Sequence, residues 1–143
     1  MWGLIAALVL AVVSICYRRH KSRALLAIQP DGTIFAEVWV SGRSTKSWLT
    51  RWGALDSLRV SVTKKALVVH PHFPFTLGFM PELLDLEHVI PLSSVISIAK
   101  ARWWFTPRPA LAIVFDSSNG RKSIELALRN PGAFLMAMRG EWP

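Results

Sequence analysis

The residues in this sequence that could do chemistry are few, and their spacing does not assemble them. His70 and His72 place two imidazoles two residues apart, with His88 further on. A protein metal site takes three or four ligands braced by outer hydrogen bonds. Pro71 and Pro74 put this pair in a loop, which favours an exposed or hydrogen-bonded histidine pair over a metal site. The serines sit in turns without a strained nucleophile elbow, and Glu82, Asp85 and Glu87 have no partnered base or nucleophile. Cys16 is the one cysteine, so no intrachain disulfide can form and nothing demands an oxidising compartment. These residues predict a non-catalytic protein with no metal and no cofactor.

Two apolar loops and scattered basic residues are more informative. One loop carries Phe73, Phe75, Phe79 and Met80; the other carries Trp103, Trp104 and Phe105 beside Arg102 and Arg108. Such side chains are costly to leave in water. Trp next to Arg is the composition of membrane-interface belts and of protein hot spots. The loops either contact a lipid or protein partner, together with Lys64 and Lys65, or fold back over the core. A net charge of +8 and a pI near 10.6 favour anionic partners, acidic lipid or nucleic acid, and say nothing about fold.

What positions these residues begins with an apolar N-terminus. Residues 2–17, WGLIAALVLAVVSICY, contain no Asp, Glu, Lys or Arg. A helix of that length is roughly 24 Å long, short but workable against a hydrocarbon core of about 30 Å. Trp2 and Tyr17 stand at its two ends as interface anchors, and Arg18, Arg19, His20, Lys21 and Arg23 follow it. The bases come after the apolar run and no small-residue cleavage site precedes them, unlike a signal peptide. The positive-inside rule predicts a single-pass anchor in the plasma (inner) membrane with the C-terminal part cytoplasmic. The basic cluster, Arg18, Arg19, Lys21 and Arg23, is expected on acidic headgroups. The predicted organisation is an anchor at 1–17, a basic juxtamembrane linker at 18–32 and a β domain at 33–140.

The β domain reads as short strands divided by turns. TIFAEVWV at 33–40 alternates, with Ile34, Ala36, Val38 and Val40 on one face. SGRSTKS at 41–47 reads as a polar loop, and 48–55 as irregular or a short strand. LRVSV at 58–62 returns through a tight turn into 66–70, and the prolines of 70–81 predict a loop. Residues 86–90 and 96–102 are strands, and 110–115 is a near-continuous apolar strand of the kind buried on both sides. The Asn119-Gly120 pair closes a hairpin onto 121–128. Asn130 then suits an N-cap, Pro131 the first helical position, and Gly140 the stop. The expected fold is mainly β, about seven antiparallel strands in a barrel or sandwich, capped by one C-terminal helix and preceded by one transmembrane helix.

From about 33 to 140 the chain resembles a pleckstrin-homology-like domain of the bacterial or GRAM type. The resemblance rests on LRVSVTKKALVV at 58–69, VIPLSSVISI at 89–98 and LAIVFDSSNGRKSIELALRNPGAFLMAM at 111–138. It implies a binding scaffold for lipids or peptides without catalysis. Phosphoinositide-binding members of that family use a basic loop between the first two strands, for which Lys46, Arg51, Lys64 and Lys65 are the available bases; the fold alone does not name the ligand. The expected function is a membrane-tethered interaction module that binds a membrane protein partner or the anionic inner-leaflet surface. The competing expectation is a nucleic-acid binder using basic charge and aromatic stacking. An anchor confines the domain to a surface and argues against it, so no nucleic acid is expected.

Overall fold

The computed structural model describes residues 2–22, 29–48, 50–77, 80–104 and 106–140, without the side chains of Met80 and Pro81. Arg23, Phe79 and Phe105 lie outside the described residues. Helix α1 (Trp2–His20) is followed by β1 (Thr33–Ser44), a 3-10 turn at Thr50–Trp52, β2 (Ala54–Thr63) and β3 (Ala66–Pro71). Then come a short helix α2 (Met80–Leu84), β4 (His88–Pro91), a 3-10 turn at Leu92–Ser94 and β5 (Val95–Ala101). The chain finishes with β6 (Ala110–Ser117), β7 (Gly120–Ala127) and α3 (Pro131–Arg139).

The described strands form one antiparallel seven-stranded sheet in the order β4-β3-β2-β1-β7-β6-β5. It does not close as a hydrogen-bonded barrel. β4 and β5 follow each other in the chain, yet they are the two opposite edges. The halves meet through β1, whose early part pairs with β2 from Thr33 to Gly42 and whose end, Ser41–Ser44, pairs with β7. Val60 and Leu67 from one half share a single core with Ile113 and Ile124 from the other. The sheet is therefore folded on itself. Each such fully buried aliphatic side chain contributes about 1.5–3 kcal/mol of transfer free energy.

The predicted loop at 41–47 is half wrong. Residues 41–44 are strand, because pairing with Ile124–Ala127 supplies ladder partners that local polarity does not reveal. The face assignment within β1 also differs. The sequence puts Ile34, Ala36, Val38 and Val40 on one side, but both Phe35 and Val40 are in the core. Trp39 adopts φ 60 at a register shift between Val38 and Val40. That bulge reverses the parity of the side chains. The predicted loop at 70–81 extends β3 to Pro71 and includes helix α2 at its end.

Helix α3 lies where the sequence expects it and packs Phe134 edge-on against Phe35, with ring centroids 5.6 Å apart. Gly140 ends it in the left-handed conformation. Asn130 occupies the N-cap position without a side-chain cap bond. The Glu37 carboxylate reaches in from β1 instead, accepting from the Arg129 and Asn130 backbone N–H groups at 2.6 and 3.2 Å.

Candidate functional site

Helix α1 is long and apolar enough to cross a membrane. Large apolar side chains such as Trp2, Leu4 and Leu8 are exposed around it. One stripe is different. Ser14 and Arg18 are buried, with Ala11 and Ile15 partly so. The spacing of 11, 14, 15 and 18 is one helical face, so the last two turns are seated against the rest of the chain. At the end of the stripe the Arg18 guanidinium donates to Glu82 and Glu87, both at 3.0 Å. The headgroup contact read for Arg18 from sequence gives way to this: its side chain is fully buried between two carboxylates. Arg19, Lys21, Trp2 and Tyr17 are exposed.

The two acids flank an end of the domain rich in exposed apolar groups. Glu82 belongs to α2 and Glu87 directly precedes β4. Between them Leu84 and Leu86 turn inward and line an apolar pocket of about 350 Å³. Its other walls are Trp52, Gly53, Ala54 and Leu55 at the start of β2, Ser57, Leu58, Pro71 and Phe75. Trp48, Trp52, Leu55, Phe73, Phe75 and Leu83 are all exposed around this end.

The two tryptophans read as one pair from the sequence are separated in the structure. Trp103 is 3% exposed and packs with Ala110 and Ala127, whereas Trp104 is 80% exposed. Arg43 lies over the Trp103 ring, its Cζ 5.2 Å from the centroid, and its guanidinium pairs with Glu125. Gly53 permits this packing. Its φ is +67, and an added Cβ would lie 2.6 Å from the Gly42 carbonyl oxygen and 3.0 Å from Trp103 Cη2. Trp104 instead joins Arg43, Arg51 and Trp52 around a shallow groove beside the pocket.

The remaining predicted contact residues scatter. Lys64 and Lys65 are exposed in the β2–β3 turn, next to Thr63, while the pocket lies around Leu58 and Pro71 at the other end of those strands. Five residue steps along the strand separate Thr63 from Leu58, roughly 16 Å. Arg108 is occupied: its Nη1 donates to the Trp39 carbonyl at 2.8 Å and to Asp56 at 2.7 Å, tying down two positions with positive φ. Arg102 is exposed beside Trp103.

The histidines turn inward to the backbone. His70 Nδ1 donates to the Pro71 carbonyl at 2.7 Å, and the His72 ring stacks on Trp39 with centroids 4.7 Å apart. His88 donates from Nε2 to the Asp85 carbonyl at 2.6 Å and meets Phe115 edge-on. Burial lowers the His88 pKa, opposed by the nearby Asp85 carboxylate and carbonyl. Among the described residues no three His, Cys, Asp or Glu side chains are placed to hold a metal ion.

Sequence reading missed the Arg18–Glu82–Glu87 cluster and the pocket. The acids were visible, but only the fold shows that a residue sixty-four positions upstream points at them. Neither a family model nor a curated protein matches this sequence.

Proposed function

We propose that the protein is a non-catalytic, membrane-tethered interaction module whose aromatic end lies against the cytoplasmic face of the membrane that holds α1. The observation that carries this reading is the seating of the α1 stripe. The uncharged run 2–17 of this helix is roughly 24 Å long, shorter than the hydrocarbon core, so its docked end lies close to the interface. Because Ser14 and Arg18 are covered by the chain itself, the domain is held at the end of the span rather than at the far end of a tether. Trp48, Trp52 and Trp104 then lie at headgroup depth, where amphipathic rings are favoured. The exposed bases Arg19, Lys21, Arg51 and Arg102 supply attraction to acidic lipid, about 1 kcal/mol each near the surface. The pleckstrin-homology-like resemblance fits a binding scaffold of this kind. Seating the domain on the end of α1 confines it to a surface, which argues against a nucleic-acid binder.

The test uses the full chain in nanodiscs containing a headgroup spin-labelled lipid. Indole NMR signals of Trp48, Trp52 and Trp104 broaden in anionic discs, more weakly as salt rises, and a Lys64→Ala/Lys65→Ala variant behaves as wild type. Unbroadened indoles in every disc would leave α1 as a tether only and point to a protein partner.

A further inference from the structure

We infer that the apolar pocket between β2, the β3–α2 loop and Leu86 takes one acyl chain of a lipid from the membrane that holds α1. The inference rests on the membrane-surface reading above and adds a ligand to it. A volume of about 350 Å³ is at the lower end of small-molecule sites, enough for a chain and too small for a folded partner. Its lining is almost wholly apolar: Trp52, Leu55, Leu58, Phe75, Leu84 and Leu86. Leu58 is fully buried and Leu84 and Leu86 nearly so, whereas Trp52, Leu55 and Phe75 are substantially exposed at the lip. The pocket is thus closed at the base and open at the surface. An apolar opening of this kind is unfavourable in water and neutral in hydrocarbon.

Three observations choose a lipid as the occupant. Leu84 and Leu86 lie between Glu82 and Glu87, the two residues that grip Arg18, so the pocket wall is continuous with the seat of the membrane helix. Arg51 adjoins the lip residue Trp52, is exposed, and has no ion pair among the described residues, which suits a phosphate held outside while the chain goes in. Ser57 is a pocket-lining residue whose buried hydroxyl has no hydrogen-bond partner among the described residues. One unpaired hydroxyl in an apolar wall matches a ligand with one ester carbonyl on a long apolar chain. The shared chemistry is an acyl ester carrying a phosphate.

The experiment reconstitutes the full chain in vesicles of phosphatidylglycerol and phosphatidylcholine. One arm uses a lipid with a diazirine midway along its acyl chain, the other a lipid with the diazirine on its headgroup, and mass spectrometry maps the adducts. The expected result is acyl-chain adducts on Leu55, Phe75 or Leu84, in addition to those on α1. They fall at least about fivefold with Ala54→Phe, which fills the pocket, and with Leu55→Lys, which charges its lip; if Ala54→Phe does not fold, Leu55→Lys decides. Acyl adducts confined to α1, or pocket adducts unchanged in Leu55→Lys, overturn the inference. Headgroup adducts on Trp48 and Trp104 without acyl adducts in the pocket would overturn the lipid site alone. Absence of both would remove the membrane-surface reading as well.

Discussion

Arg18 Nη2 donates to Glu87 Oε2 at 3.0 Å, joining residues sixty-nine positions apart. Glu82 takes the other terminal nitrogen at the same distance. One cation fully removed from solvent is thereby shared by two carboxylates, each about a fifth exposed. Desolvating an arginine is costly, and such a group is tolerated only where its donors are met. The basic residue nearest the apolar span is therefore a structural bolt, and Arg19 and Lys21 are left to face solvent or headgroups.

Removing that bolt leaves two acids facing each other across a partly buried gap. Arg18→Met is expected to destabilise the docked arrangement by about 3 kcal/mol. Hydrogen exchange of the full chain in nanodiscs should show lost protection in α2 and in the last turn of α1. Adding Glu82→Gln to Arg18→Met should restore part of it, since the surviving charge is then smaller. Equal protection in wild type and Arg18→Met would show that the pair holds nothing.

The two neighbouring tryptophans separate stability from surface contact. Trp104→Ala removes an exposed ring and should shift unfolding by no more than about 0.5 kcal/mol, while weakening association with anionic bilayers. Trp103→Ala empties a buried site and should cost about 3–5 kcal/mol. Denaturant titration of both variants, alongside the nanodisc measurement, distinguishes the two roles.

Gly53 is the backbone position that makes room for Trp103. Gly53→Ala places a Cβ against the Gly42 carbonyl oxygen and Arg43 Cβ, at 2.6 and 2.7 Å, in a left-handed conformation. Strain in that region alone costs about 1–3 kcal/mol, and backbone atoms cannot yield as a flexible side-chain tip can. Gly120→Ala, with positive φ but open space around it, should cost less. Paired denaturation curves check the order.

Burial holds the pKa of His88 in the folded domain below the ordinary value of 6.5. With the folded pKa depressed, the unfolded chain binds the proton first as pH falls. The contribution of His88 is then fully present above about pH 6.5 and is lost as pH drops from there toward the folded value. Thermal unfolding followed from mildly alkaline to mildly acidic pH should show this decline, and His88→Gln should flatten it.

Much of the architecture is local enough to read from residue order. The β2–β3 and β6–β7 hairpins follow from alternation and from turn residues such as Lys64-Lys65 and Asn119-Gly120, which need only their near neighbours. The same holds for α3, whose start and stop are marked by Pro131 and Gly140, and for the apolar run of α1. Length, apolar content and the trailing bases made a membrane span the natural expectation, since each is a property of a contiguous segment.

What tertiary structure alone decided are the relations between distant segments. Residues 41–44 became strand because β7 offered hydrogen-bond partners, although their own composition is that of a loop. The Trp39 bulge reversed a face that strict alternation put the other way. Arg18 reads as one more juxtamembrane base until Glu82 and Glu87 are brought to it, and Leu84 and Leu86 become pocket walls only beside Trp52 and Phe75. Periodicity and turn chemistry act over a few residues and are written in order along the chain. Burial, ion pairing and the shape of a pocket depend on which surfaces meet, and only the folded chain settles that.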